Sequence, residues 1–155
     1  MPVQIEIDDP FAAELPPDLI ERAALLTLQR YQVSPASTVT ISITDSETVR
    51  ELNARFRGIN AATDVLSFEN TPDPDFPAGD TAHLGDVVIA YPVAQAQATA
   101  AGHRPQDEVA LLTVHGVLHL LGLDHDTPTA KAEMWAVQQE ILSALGLENI
   151  SPTEG

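Results

Sequence analysis

The chain predicts an α/β fold: one domain with a small mixed four-stranded sheet packed with about five helices. Short runs of alternating polarity, VQIEI and TVTISI, are interleaved with helix-forming stretches, the pattern of a layered α/β domain. One segment, VALLTVHGVLHLL, is apolar on most faces, as a helix covered on all sides must be. With 155 residues, no internal repeat and no composition break, residues 1–155 read as a single domain. That length buries roughly 70% of the unfolded surface.

Each element follows from local pattern. Val3, Ile5 and Ile7 alternate with polar residues, as do Val39, Ile41 and Ile43, so both segments read as half-buried strands. Residues 16–31 between them carry helix formers, and a strand–helix–strand crossover makes the two strands parallel. Thr44 and Glu47 form an expected capping box for a helix running to about Phe56, with Val49, Leu52 and Phe56 on its apolar side. After Gly58, DVLSFE reads as a third strand, and residues 70–82, crowded with Pro, Asp and Gly, read as an exposed loop. A fourth strand follows at about 83–91. Pro92 and Pro105 fit the first turns of two helices, the second being the apolar one and running to Leu121. A last helix is expected from Thr129 to Leu145, with Gly146 as its stop and the tail NISPTEG frayed.

Composition narrows the function classes. With no cysteine, disulfides and thiolate ligands are both excluded, so any metal must be held by His, Asp or Glu. The start MPVQIEIDDP lacks a positively charged segment followed by an apolar run, and no apolar stretch approaches membrane-span length. The expectation is a soluble, cytoplasmic protein with no membrane partner. Asp and Glu number 23 against 7 Lys and Arg, and a net charge of −16 repels polyanions at long range. Yet Arg50, Arg55 and Arg57 fall within eight residues. They form either a local phosphate-binding patch or an ordinary solvated helix face.

The run HGVLHLLGLDHD constrains the chemistry most tightly. It reads H-x-x-x-H-x-x-G-x-x-H and holds three of the chain's five histidines. Residues four apart on a helix lie about 40° apart around the axis and about 6 Å along it, so His115 and His119 form a two-pronged metal grip. Gly122 suits a left-handed exit from the helix that brings His125 back toward the same point. A buried apolar helix tolerates unpartnered imidazoles poorly, which favours a ligand role over a packing one. The metal site thus falls at the C-terminal end of the central buried helix. Three nitrogens leave the fourth position of tetrahedral zinc open, where water becomes a nucleophile with a pKa of about 7. Metzincin proteases share this spacing but place Glu, their general base, directly after the first His; here Gly116 stands there. Met134 lies in the helical pattern AEMWAVQQEIL and reads as core rather than as a protease Met-turn.

LNARFRG, TDVLSF, LGDVVIA, a Glu-bearing helix and HGVLHLLGLDH follow one another from about Glu47 to Gly146. In this order they resemble the YbeY family of endoribonucleases, with weaker similarity over the N-terminal third. The resemblance implies a zinc-dependent, single-strand-selective endoribonuclease of ribosomal RNA maturation and ribosome quality control. Its substrate would be single-stranded or ribosomal RNA rather than DNA, and its partners ribosomal proteins or a ribosome-associated GTPase. It implies one zinc per chain, held by His115, His119 and His125, and places Arg57 at the family's characteristic arginine. A guanidinium there grips phosphate bidentately and stabilises charge developing in phosphodiester cleavage.

Asp64, Ser67, Asp86 and Glu108 also match family positions. For Asp86 a turn-forming role stays open, and for Glu108 that of a first-turn helix acid. His83 and His103 read as structural or surface residues. Where the family commonly reads Asp-Lys-Pro before TDVLSF, this chain has Asn60, Ala61 and Ala62, one cation fewer. Two other functions stay open: a metal-stabilised ribosome-docking module with little nuclease activity, and a metalloprotease-like hydrolase.

Overall fold

A computed structural model of the chain describes residues 3–9, 11–70, 83–147 and 150. The expected loop over 70–82, apart from Asn70, and the expected frayed tail, apart from Ile150, lie outside the described residues. The elements are β1 (Val3–Ile7), α1 (Pro17–Arg30), β2 (Thr38–Thr44), α2 (Ser46–Arg57), β3 (Val65–Glu69), β4 (His83–Ala90), α3 (Tyr91–Ala101), α4 (Pro105–Leu120) and α5 (Pro128–Ala144). A single 3-10 turn at Phe11–Ala13 is the one piece the pattern did not suggest.

The strands lie in the order β1-β2-β4-β3, with β1, β2 and β4 parallel and β3 antiparallel to β4. The sheet is therefore mixed, and among the described residues β3 is an edge strand. Alternation sorts its residues. Val39, Ile41 and Ile43 of β2 and Val87 and Ile89 of β4 are buried in the main core with α1, α4 and α5. Val88 and Ala90 of β4 join Leu66 of β3 and Val49 of α2 in a second, smaller core.

Helix α4 is the centre of the molecule. Twelve of its 16 residues are buried, and beyond its first turn the two that are not are His115 and His119. Two half-exposed imidazoles in an otherwise buried helix mark the point where it lines a cleft. Gly116 lies between α4 and the sheet, where an added Cβ would come 2.5 Å from Val87 Cγ1 and 3.3 Å from Ser67 Oγ. Close packing explains the small residue, and it leaves a glutamate no room at the position where a metzincin carries its base. Met134 is a buried core residue, as its helical pattern suggested.

Two local expectations are corrected. Helix α2 is capped by Asp45, whose Oδ1 accepts from Thr48 N at 2.7 Å, not by a Thr44–Glu47 box. Thr44 stays in β2 and its hydroxyl donates to Asp8 at 2.6 Å, while Glu47 pairs with Arg50. Aspartate is at least as good a cap as threonine, and the strand runs one residue further. Phe56, expected among the apolar residues of α2, stands outside the core at 59% exposure.

Candidate metal centre

Helix α4 ends in a turn that aims the third histidine. Leu123 N donates to Leu118 O at 3.0 Å and Gly122 N to His119 O at 3.0 Å, the paired bonds of a Schellman motif. Gly122 takes φ +97°, a left-handed conformation that most side chains resist. The chain reverses there, and within the following loop His125 N donates to Asp124 Oδ1 at 2.7 Å.

The three rings converge as the spacing predicted. One ligand atom from each of His115, His119 and His125 lies within 4.8 Å of the others. His115 Nε2 and His119 Nε2 are 3.1 Å apart. Two nitrogens bound to one tetrahedral zinc at 2.0–2.1 Å would sit roughly 3.3–3.4 Å apart, so the pair fits a shared metal. The group can hold a metal ion without rearrangement of the helix.

Helix α5 holds the cluster from behind. Gln138, wholly buried, accepts through Oε1 from His115 Nδ1 at 3.0 Å, which leaves the Nε2 lone pair pointing into the site. Its Nε2 is buried with no hydrogen-bond partner. Trp135 packs on His115 and His125, with ring centroids at 5.7 and 5.5 Å. Neither residue was singled out from sequence. The only available signal for Gln138 was a polar residue at core spacing with Met134, Ile141 and Leu142.

Burial sets the protonation of His115 and His119. Desolvation, then the neighbouring His119, pushes His115 down from 6.5 to about 4, and desolvation with His125 lowers His119 as well. Both are neutral at pH 7 and present lone pairs. Between pH 6.5 and about 4 an unfolded chain binds a proton at His115 that the folded chain refuses. The metal-free protein should therefore lose stability as pH falls through that window, since the folded pKa is depressed and the unfolded state takes up more protons. Melting of chelator-treated protein from pH 6.5 to about 5, above most carboxylate titrations, checks this. A slope no steeper than that of His115→Ala would contradict it.

Arg57, exposed at the end of α2, reaches β3 at the edge of the described sheet. Its Nη2 donates to Ser67 O at 2.7 Å and its Cζ lies 5.8 Å from the Phe68 ring centroid. Arg57, Asp64, Ser67, His115, His119 and His125 all line one cleft of about 530 Å³. Asp64 Oδ1 accepts from Val65 N at 2.8 Å, and Ser67 Oγ donates to Gly116 O at 2.9 Å, tying β3 to α4. The remaining candidates lie elsewhere. Asp86 pairs with His83 at 3.2 Å, and Glu108, fully buried, takes His103 at 2.6 Å about 10 Å back along α4. Of the arginine cluster, Arg50 is held by Glu47 and Asn60, Arg55 lies over Phe56, and Arg57 alone lines the cleft.

Fold and cleft together define a small α/β domain built around a three-histidine group able to hold a metal ion, with an arginine on the same wall. Residues 7–146 match the family described as Endoribonuclease YbeY, and the chain belongs to that family. Proteins called Endoribonuclease YbeY are similar over nearly the whole length. That of Roseiflexus sp. (strain RS-1) is 44% identical over 94% of this chain and 93% of its own. Those of Dehalococcoides mccartyi (strain CBDB1), covering 86% of this chain and 87% of its own, and Chloroflexus aurantiacus (strain ATCC 29366 / DSM 635 / J-10-fl), covering 94% and 96%, are each 40% identical. A solution structure of a Thermotoga maritima protein shares the fold, with TM-score 0.57 at 18% identity over 99% of both chains.

Proposed function

We propose that this chain is a zinc-dependent endoribonuclease that cuts single-stranded RNA in the cytoplasm, in ribosomal RNA maturation and ribosome quality control. The observation that carries the reading is the convergence of His115, His119, His125 and Arg57 on one cleft in a chain of the YbeY family. A zinc ion held by the three histidines would supply an activated water and positive charge for the phosphoryl oxygens. Arg57, oriented by the Ser67 carbonyl, grips the scissile phosphate and stabilises charge developing on it. Gln138 keeps the His115 proton on Nδ1. Asp64, Glu69 and Asp124 put three carboxylates beside the single cleft arginine. That balance disfavours the second backbone of a duplex. The net charge of −16 suits basic partners, ribosomal proteins among them, and favours the docking-module reading as the second choice.

The test is cleavage of a short single-stranded RNA by zinc-loaded and chelator-stripped protein, with duplex RNA and single-stranded DNA beside it. Cleavage of the first substrate alone, dependent on zinc, is expected. Intact RNA with fully loaded protein would overturn the nuclease reading and leave docking.

Gln138→Leu gives opposite signs for its two effects. Leucine removes the unpaired amide N–H but orphans His115 Nδ1, so metal-free stability should change by under about 1 kcal/mol. Zinc affinity should fall about 10–100-fold, because the ligand loses the partner that fixes its tautomer. Zinc titration with melting as readout separates the two; unchanged affinity would reduce Gln138 to packing.

A further inference from the structure

The end of α2 carries a feature that phosphodiester cleavage does not require. Among the described residues the exposed large hydrophobics are Tyr31, Phe56 at 59% and Ile59 at 54%. Isolated exposed apolar residues are ordinary. These two flank Arg57 within three residues, and Arg57 and Ile59 line the cleft. The Phe56 and Phe68 rings meet at 5.5 Å and 66°. Arg55 Cζ lies 5.3 Å from the Phe56 centroid and Arg57 Cζ 5.8 Å from the Phe68 centroid. In a chain with 7 basic residues against 23 acidic ones, two cations thus converge on a pair of aromatic rings, one of them the cleft-lining Arg57. The helical period would have put Phe56 with Val49 and Leu52 in the small core, and the fold instead leaves it in water.

We propose that Phe56 is a stacking platform for an unpaired base of the RNA strand whose phosphate Arg57 holds, a site that rests on the endoribonuclease reading. An exposed phenyl ring beside guanidinium groups offers a base an apolar face and its backbone a positive charge. Charge favours this occupant: Arg55 and Arg57 stand over the two rings in a chain with few other cations to draw a phosphate backbone. Every base has a π-face, so the contact is indifferent to sequence. In a duplex the bases already stack on one another, so Phe56 adds selection for single strands without reading any base edge. Stacking also fixes the nucleotide next to the scissile bond, which holds the phosphate between Arg57 and the histidines during the reaction.

The experiment measures binding of a mixed-sequence, fluorescently labelled single-stranded oligoribonucleotide to chelator-stripped protein, alongside single-turnover cleavage by the zinc-loaded form. Phe56→Ala should weaken binding about ten- to a hundredfold, with zinc content and Tm at wild-type values. Phe56→Leu should be as weak, because it keeps the apolar contact and loses the ring. Phe56→Trp should bind as well as wild type. An RNA with an abasic nucleotide beside the cleaved phosphate should erase the difference between wild type and Phe56→Ala. Equal binding by wild type, Phe56→Ala and Phe56→Leu would overturn the proposal while wild-type cleavage leaves the nuclease reading standing. Unchanged RNA binding together with lost binding to a basic ribosomal protein would assign the patch to a protein interface. No RNA binding or cleavage by wild type would overturn both readings.

Discussion

His119→Ala should release zinc and with it nearly all RNA cleavage. The histidine supplies one of three ligand atoms held within 4.8 Å, and two imidazoles alone grip a divalent metal far more weakly. Losing a zinc held there would remove the activated water and the positive charge it would supply. A loss of about 4 kcal/mol or more of transition-state stabilisation corresponds to at least about a thousandfold in rate. The fold should survive, because His119 is only half-buried and sits at the rim of the core rather than inside it. Metal-free wild type and variant should therefore melt within a few degrees of each other. Zinc at a thousandfold excess over Kd should stabilise the wild type by about 4 kcal/mol and the variant hardly at all. In a domain of this size that is roughly 8–16 °C in Tm. One zinc per chain in purified His119→Ala, or cleavage at the wild-type rate, would remove His119 from the ligand set.

Arg57→Ala should do the converse: keep zinc, keep Tm, and lose cleavage by about a hundredfold or more. Its guanidinium touches the sheet through one bond to the Ser67 carbonyl, on an edge strand where water can replace it. Truncation at such an exposed site costs under about 0.5 kcal/mol of stability. On the proposed role the loss is large because a preorganised cation would act where charge develops on the phosphate. Arg57→Lys should recover only part of the rate, since a point charge cannot make the two-pronged contact. Single-turnover cleavage at matched zinc content is the measurement. Equal rates for wild type and Arg57→Ala would strip the arginine of its role and strengthen the docking reading.

Particular residues show how far the chain could be read before its structure was known. Val39, Ile41 and Ile43 declared a half-buried strand because period-2 alternation is local, and Pro17, Pro92, Pro105 and Pro128 all lie in first turns where a missing N–H costs nothing. The histidine triad was legible for the same reason: two ligands share one helix face and the third follows a turn three residues later. The antiparallel direction of β3 and the reach of Arg57 to that strand depend on how distant segments dock, so the sequence left Arg57 in a cluster of three and only the family resemblance singled it out. Gln138 lies 23 residues from its histidine, and nothing in its neighbours announces the contact. Phe56 misled because helical periodicity assumes that every apolar position faces the core.

Placing His115 and His119 on α4 also decides how the protein breathes. Local opening events release elements with few buried contacts first, while the most enclosed helix lets go only with global unfolding. Two of the three histidines therefore stand on the most enclosed helix, whereas Phe56 and Arg57 stand exposed in the last turn of an outer one. His115 and His119 should keep their spacing through small local openings. The Phe56 and Arg57 side, proposed to hold the RNA strand, can shift without disturbing them.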